Sequence, residues 1–204
     1  MRYTVDFYGI KRALPICPID GGVQIAAFNM LGDNELVKVL AEEAYKKIAA
    51  LDFDAIVTAE CKGIAFAQEV SRLLYERKNQ RFFVAARKSF KLYMNEPLSV
   101  TVRSITTGGE QTLWLSKDEA DKLRGGKVII ADDVISTGGT ADALRTLLGE
   151  VGAGVAAELC VFAEGAAVKR KDIIYLKYLP LFDRDGTAVE QGRQDNSEKF
   201  ANRR

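Results

Sequence analysis

Two hydrophobic rhythms run along this chain, one with a period of two and one with a period of three to four. Residues 2–8 alternate, with Tyr3, Val5 and Phe7 on one face, which predicts a strand. Gly9-Ile10-Lys11-Arg12 reads as a hairpin turn into a second strand at 13–17, and Asp20-Gly21-Gly22 as another turn. Residues 23–28 (VQIAAF) follow as a third short strand or extended arm. The helical rhythm then takes over. Asp33 or Asn34 caps a helix over 35–50, with Leu36, Val37, Leu40, Ala44 and Ile48 on one stripe and Glu42, Glu43, Lys46 and Lys47 on the other.

Short apolar runs at 54–58, 81–86, 128–131 and 155–162 predict buried strands. Helical segments at 64–76 (Ile64, Ala67, Val70 and Leu74 inward) and 141–151 lie between them. Residues 98–105 alternate again. A turn at Thr107-Gly108-Gly109-Glu110 leads to a partner strand at 111–115, a long hairpin outside the strand–helix sequence. Trp114, the only tryptophan, is assigned to the core. Ser116-Lys117-Asp118-Glu119 has the form of a capping box opening a helix that ends at Leu123. Residues 173–176 and 178–182 are terminal extended segments, and the polar stretch from 183 reads as a frayed tail. The order implies an α/β fold: an open, mostly parallel sheet with helices on both faces.

Composition narrows the chemistry. The 204 residues suit one domain, and 29 basic against 28 acidic residues leave a net charge of +1, so no global field draws nucleic acid or membrane. There is no histidine, which excludes imidazole bases, His-zinc sites and the Ser-His-Asp triad. Cys17, Cys61 and Cys160 are odd in number and unclustered, and read as reduced cytoplasmic thiols. No apolar run approaches the roughly 18 residues that span a bilayer, and the N-terminal residues lack a signal-peptide apolar region.

The chemistry concentrates in residues 127–140, KVIIADDVISTGGT. An apolar strand delivers Asp132 and Asp133. The turn Ser136-Thr137-Gly138-Gly139-Thr140 then opens a helix. Glycines there let backbone N–H groups approach a ligand, and the helix start favours an anion. The hydroxyls add donors, so a phosphate monoester fits the cup. Two carboxylates accept hydrogen bonds only, and suit a diol such as ribose or a hydrated divalent cation. Glu60-Cys61-Lys62-Gly63 forms a second strand–turn–helix with a glycine, read as a backbone anion nest beside a cation. Arg87, Lys88 and Lys91 follow another strand, either as a solvated basic face or as an anion site.

The pattern of residues 128–140 resembles the phosphoribosyl diphosphate (PRPP) signature of the type I phosphoribosyltransferases. The likeness extends through residues 23–165. It is strongest at that motif, at Ala86-Arg87-Lys88-Ser89-Phe90-Lys91 and at the hairpin; the chain looks like the purine branch, and its hairpin resembles the xanthine and purine-repressor type more than the adenine type. The resemblance implies one domain over 1–182, with a hood at about 1–30, a core at about 31–182, a flexible lid hairpin at about 92–116 and a polar tail at 183–204. It implies purine transfer from PRPP, with adenine the first choice and xanthine or a silent PRPP sensor the alternatives. Thr106-Thr107 and Ile25-Ala26-Ala27-Phe28 stand where adenine enzymes usually carry a Glu-Tyr lid and a hood arginine.

In this reading Asp132 and Asp133 are catalytic, and Ser136, Thr137, Gly138, Gly139 and Thr140 hold the 5′-phosphate. Glu60, Cys61, Lys62, Gly63, Arg87, Lys88 and Lys91 bind diphosphate. Phe28 and Val134 sandwich the base, unless they are simply core. Mg²⁺ is held through PRPP and water without direct protein ligands. A homodimer is implied, with no nucleic-acid or membrane partner. Members of the family often carry an unusual peptide bond in the loop matching residues 60–63.

Overall fold

A computed structural model of the protein describes residues 1–80, 82–103 and 110–189. The chain runs β1 (Arg2–Phe7), β2 (Ile10–Pro18), β3 (Gln24–Ala26), α1 (Asn34–Ile48), β4 (Ala55–Ala59), α2 (Gly63–Lys78), β5 (Phe83–Ala86), β6 (Leu98–Arg103) and β7 (Glu110–Leu115). It continues with α3 (Lys117–Leu123), β8 (Lys127–Ile135), α4 (Gly139–Val151), β9 (Gly154–Glu164), β10 (Ile173–Leu179), β11 (Leu181–Phe182) and β12 (Ala188–Val189). The central sheet has the order β10-β9-β8-β4-β5, and every pairing in it is parallel.

Alternation along the strands sorts side chains between two cores. Ile56, Ile129 and Leu159 face α1 and α2, whereas Ala55, Val57, Val128 and Ile130 face α3, α4 and the hairpin. A parallel sheet covered on both faces explains why its strands read as continuous apolar runs. Helix α1 begins as expected: the Asp33 side chain accepts from the Leu36 amide. Val37 is only partly buried and Ala41 takes its place on the inner stripe. In α2 the core is carried by Phe66 and Leu73 as well as Ala67, Val70 and Leu74, while Ile64 is half-buried. The capping box is complete, with Ser116 accepting from the Glu119 amide and donating its own N–H to the Glu119 carboxylate.

Four expectations change. The first hairpin turns at Tyr8-Gly9, both with positive φ, so β2 starts at Ile10. A two-residue turn of that hand matches the strand twist, which a four-residue stretch would not need. Strand β8 does not stop before the acids but runs through them, because β9 offers partners as far as Asp132↔Cys160, Val134↔Phe162 and Ile135↔Ala163.

Third, the hood is not built from residues 1–30 alone: its order is β1-β2-β3-β11-β12, with Leu181 paired to Ile25. The stretch expected to fray therefore folds back as far as Val189. It is held by Gln24 donating to the Asp183 and Arg184 carbonyls and by Asp183 accepting from the Thr187 amide. Fourth, Trp114 is half-buried, while Leu113 and Leu115 on the opposite phase are fully buried; the indole meets the exposed Phe90 edge-on at 5.6 Å. Strands β6 and β7 form a separate two-stranded ribbon, as the alternation predicts. Its turn and the residues at 190–204 lie outside the described ones.

Candidate active site

Strand β8 carries Asp132 and Asp133 to the carboxyl edge of the central sheet, where a cavity of about 380 Å³ opens. Its walls are Ile25, Ala26, Ala27 and Phe28 from the hood side, residues 60–62, Lys88, Asp132, Asp133, Val134, Ser136, Thr140 and Glu164. A second space of about 170 Å³ adjoins it, bounded by residues 134–141, Asp132 and Gln111. Carboxyl edges of open parallel sheets are where α/β folds bind ligands.

The turn at 136–140 is built as expected. Gly138 takes φ +89°, a conformation that L side chains rarely adopt, and thereby caps α4 without a side-chain acceptor. The amides of the first helical turn have no upstream carbonyl and point out with a positive dipole end. Behind this turn, a methyl group on Gly138 would come within 3.0 Å of the Arg170 guanidinium. Arg170 is itself locked to Glu158 at 2.8 Å and to Asp172 at 2.6 Å, and Arg145 reaches Glu158 at 2.5 Å. Glu158 is fully buried, so its two arginines are what keep that charge tolerable.

The acids differ. The Asp133 carboxylate is buried and meets the Lys62 ammonium at 2.6 Å. Asp132 accepts from the Asp133 amide at 2.8 Å. Burial first, and the neighbouring Asp133 charge second, hold the Asp132 carboxyl well above the ordinary carboxylate range. A cation in the cleft would relieve that repulsion on Asp132.

The loop at 60–63 departs from a simple anion nest. Its Glu60–Cys61 peptide bond is cis. Gly63 has no positive φ; its lack of a side chain lets α2 start directly against the acid strand. A methyl there would come within 2.6 Å of Thr58 Oγ1 and 3.0 Å of Asp132 Oδ1. Glu60 turns away from any anion and accepts from the Lys88 amide at 3.0 Å. Lys62 is committed to Asp133 and to the Phe28 carbonyl at 3.2 Å, tying this loop to the hood. Cys61 is exposed on the cavity wall.

Of the three later cations, only Lys88 lines the cavity. Arg87 lies near Glu60 and Glu119 at 4.0 and 3.8 Å, and Lys91 donates to Ser89 at 2.9 Å. Phe28 and Val134 both line the cavity, but Phe28 is 4% exposed and stacks on Phe7 at 5.7 Å and edge-on to Phe162 at 4.9 Å. Its body is core and one edge is wall.

Two lining residues were not legible beforehand. Glu164 ends β9 on the hood side of the cavity, and burial chiefly raises its carboxyl above the usual range. Gln111, on the hairpin, bounds the same space as the turn at 136–140. For Gln111 there was a signal: a polar residue on the same strand phase as Leu113 and Leu115. Among the described residues, no cluster of three or more His, Cys, Asp or Glu side chains could hold a metal ion. No helix among them is long and apolar enough to cross a membrane.

This cleft can be set beside known proteins. Residues 29–190 match the phosphoribosyl transferase domain. The chain belongs to the phosphoribosyltransferase family. It is 35% identical over 154 residues to an adenine phosphoribosyltransferase of Thermosipho africanus, covering 75% of this chain and 84% of that one. It is 31% identical over 178 residues to a hypoxanthine/guanine phosphoribosyltransferase of Methanotorris igneus, covering 85% and 87%. The crystal structure of an adenine phosphoribosyltransferase from Thermoanaerobacter pseudethanolicus superimposes with a TM-score of 0.65 at 26% identity, covering 81% of this chain and 95% of that one. The parallel sheet and its flanking helices are thus the phosphoribosyltransferase fold. The cis bond at Glu60–Cys61 falls at the loop where members of the family often carry an unusual peptide bond.

Proposed function

We propose that this phosphoribosyltransferase moves ribose 5-phosphate from PRPP to a purine, with adenine the preferred base, and releases diphosphate. The observation that carries the reading is a pair of adjoining spaces in which buried Asp133 and half-buried Asp132 stand beside a cup of amides and hydroxyls. Ser136, Thr137, Gly138, Gly139 and Thr140 hold the 5′-phosphate. Asp132 and Asp133 orient the ribose hydroxyls and stabilise positive charge as the sugar carbon loses its leaving group. Lys62 keeps Asp133 aligned. Lys88, with Arg87 and Lys91 nearby in sequence, supplies charge for the departing diphosphate.

The acid pair and the roomy polar cleft fit a magnesium ion that keeps most of its ligands from PRPP and water. When bound, the ion neutralises diphosphate charge. The base lies at the hood end, between Val134 and the edge of Phe28. There the Glu164 carboxyl can accept a hydrogen bond from an exocyclic amino group. The adenine enzymes among the relatives support adenine as the preferred base.

The chain works as one domain: hood, core, and a hairpin that covers the cleft and limits hydrolysis of the activated sugar. The exposed Phe90, Leu92 and Tyr93, beside Lys88 and Lys91, suit a homodimer contact. Three unpaired thiols suit the cytoplasm.

The test is steady-state turnover with PRPP, Mg²⁺ and a panel of adenine, hypoxanthine, guanine, xanthine, uracil and orotate. Adenine should give the highest kcat/KM. PRPP binding without turnover of any base would overturn the enzyme reading in favour of a sensor, and a 6-oxopurine preference would overturn the choice of adenine.

A further inference from the structure

Strand β7 reads Glu-Gln-Thr-Leu-Trp-Leu, and its alternation puts Gln111, Leu113 and Leu115 on one face. Leu113 and Leu115 are fully buried in the core shared with α4. A glutamine on that inward phase is poor packing unless its amide has work to do. The Gln111 Nε2 is buried, yet it donates to no acceptor among the described residues. Leaving a buried donor unpaired costs about 1–3 kcal/mol. The side chain lines the space closed by Ser136, Thr137, Gly138, Gly139 and Thr140, whose amides and hydroxyls are also donors. One carboxylate, Asp132, lines the same space, and it accepts from the Asp133 amide. Donors converging from two separate elements on one small space define an anion-sized gap.

We propose that Gln111 is a further phosphate ligand, its Nε2 donating to a phosphate oxygen held in the turn at 136–140. This assignment rests on the PRPP reading for the identity of the phosphate ester, but its geometry concerns the phosphate alone. β7 and α4 then hold the same group from two sides, joining the ribbon, already packed on α4 through Leu113 and Leu115, to the turn at 136–140.

The probe is ribose 5-phosphate, followed by titration calorimetry and by its effect on Tm. Gln111→Leu should weaken its binding about tenfold or more, with no fall in the Tm of the free protein. Gln111→Glu, nearly isosteric but negative, should abolish binding at neutral pH. In turnover, KM for PRPP should rise while KM for the base stays level. Unchanged ribose 5-phosphate affinity in Gln111→Leu overturns the assignment. So does a lowered free-protein Tm with an intact ligand-induced rise, since that pattern marks a packing role. A wild-type protein that binds no ribose 5-phosphate overturns the phosphate cup itself, and this proposal with it. A wild type that binds the probe but turns over no base removes only the enzymatic reading and leaves Gln111 as a phosphate ligand.

Discussion

Two strand–glycine–helix turns face each other across the cleft, and they use glycine for opposite reasons. At 136–140, Gly138 is needed for its backbone: φ is +89°, and the turn bends so that amides open outward to a ligand. At 60–63, Gly63 is needed for its missing side chain: α2 starts so close to β8 that a methyl would strike Thr58 and Asp132. The first turn is shaped around an open space. The second is shaped around the protein's own acid pair, which it holds through Gly63 on one side and Lys62 on the other. A glycine at a helix start thus has two meanings, and neighbouring residues alone do not separate them.

Substitution by alanine breaks the two turns differently. The largest effect is expected at Gly63→Ala. Overpacking against backbone and the acid strand costs about 1–3 kcal/mol and displaces Asp132, so kcat should fall roughly a hundredfold or more on the scale of lost electrostatic stabilisation. A Gly63→Ala enzyme with normal kcat would show that Asp132 tolerates movement.

Gly138→Ala comes next. Strain at positive φ costs about 1–3 kcal/mol, and the Arg170 guanidinium must shift. KM for PRPP should rise about tenfold with a smaller change in kcat. Equal KM values would mean that the turn's shape does not matter for phosphate. Gly139→Ala is milder still. Nothing lies within 4 Å of its added methyl, so Tm should hold, and any rise in KM for PRPP reports how closely the ligand approaches. A fallen Tm would contradict the open space beside it.

The smallest effect is on stability and depends on pH. The Asp132 carboxyl titrates higher in the folded protein than in the unfolded chain. Between those two points the folded state holds the extra proton, so its stability declines as pH rises. Asp132→Asn removes that ionisation. Its Tm should gain on wild type as pH climbs from the ordinary carboxylate range toward neutrality, while turnover is lost. A Tm difference independent of pH would show that Asp132 is not perturbed.

Much of this architecture was legible because local chemistry and long-range packing agree. The Asp33 cap, the Ser116–Glu119 box and the apolar runs of β4 and β8 predict elements that the structure contains. The turn at 136–140 and the helix it opens were legible because hydroxyls, glycines and a helix start coincide within a few residues. Reading failed where pairing across the chain overrides local preference. Aspartates are poor strand residues, yet β8 continues through two of them because Cys160 and Phe162 on β9 hold the register. Nothing local in the sequence marks Glu164, and only the assembled fold shows that it walls a pocket. Lys62 looked free for an anion, and only the depth of Asp133 shows why it is engaged. Trp114 was placed by size when its strand phase pointed the other way.

The hood draws on both the beginning and the far end of the described chain, since β3 is completed by β11 and β12. A ribosome therefore delivers the acid pair and the turn at 136–140 well before the last strands that complete the sheet walling the cavity. A nascent chain emerging in that order completes one side of its cleft first and the other side last. Shortening the protein to just before Leu181 would be expected to loosen β3, whose Ile25 pairs with Leu181, while leaving the register of the acid strand intact.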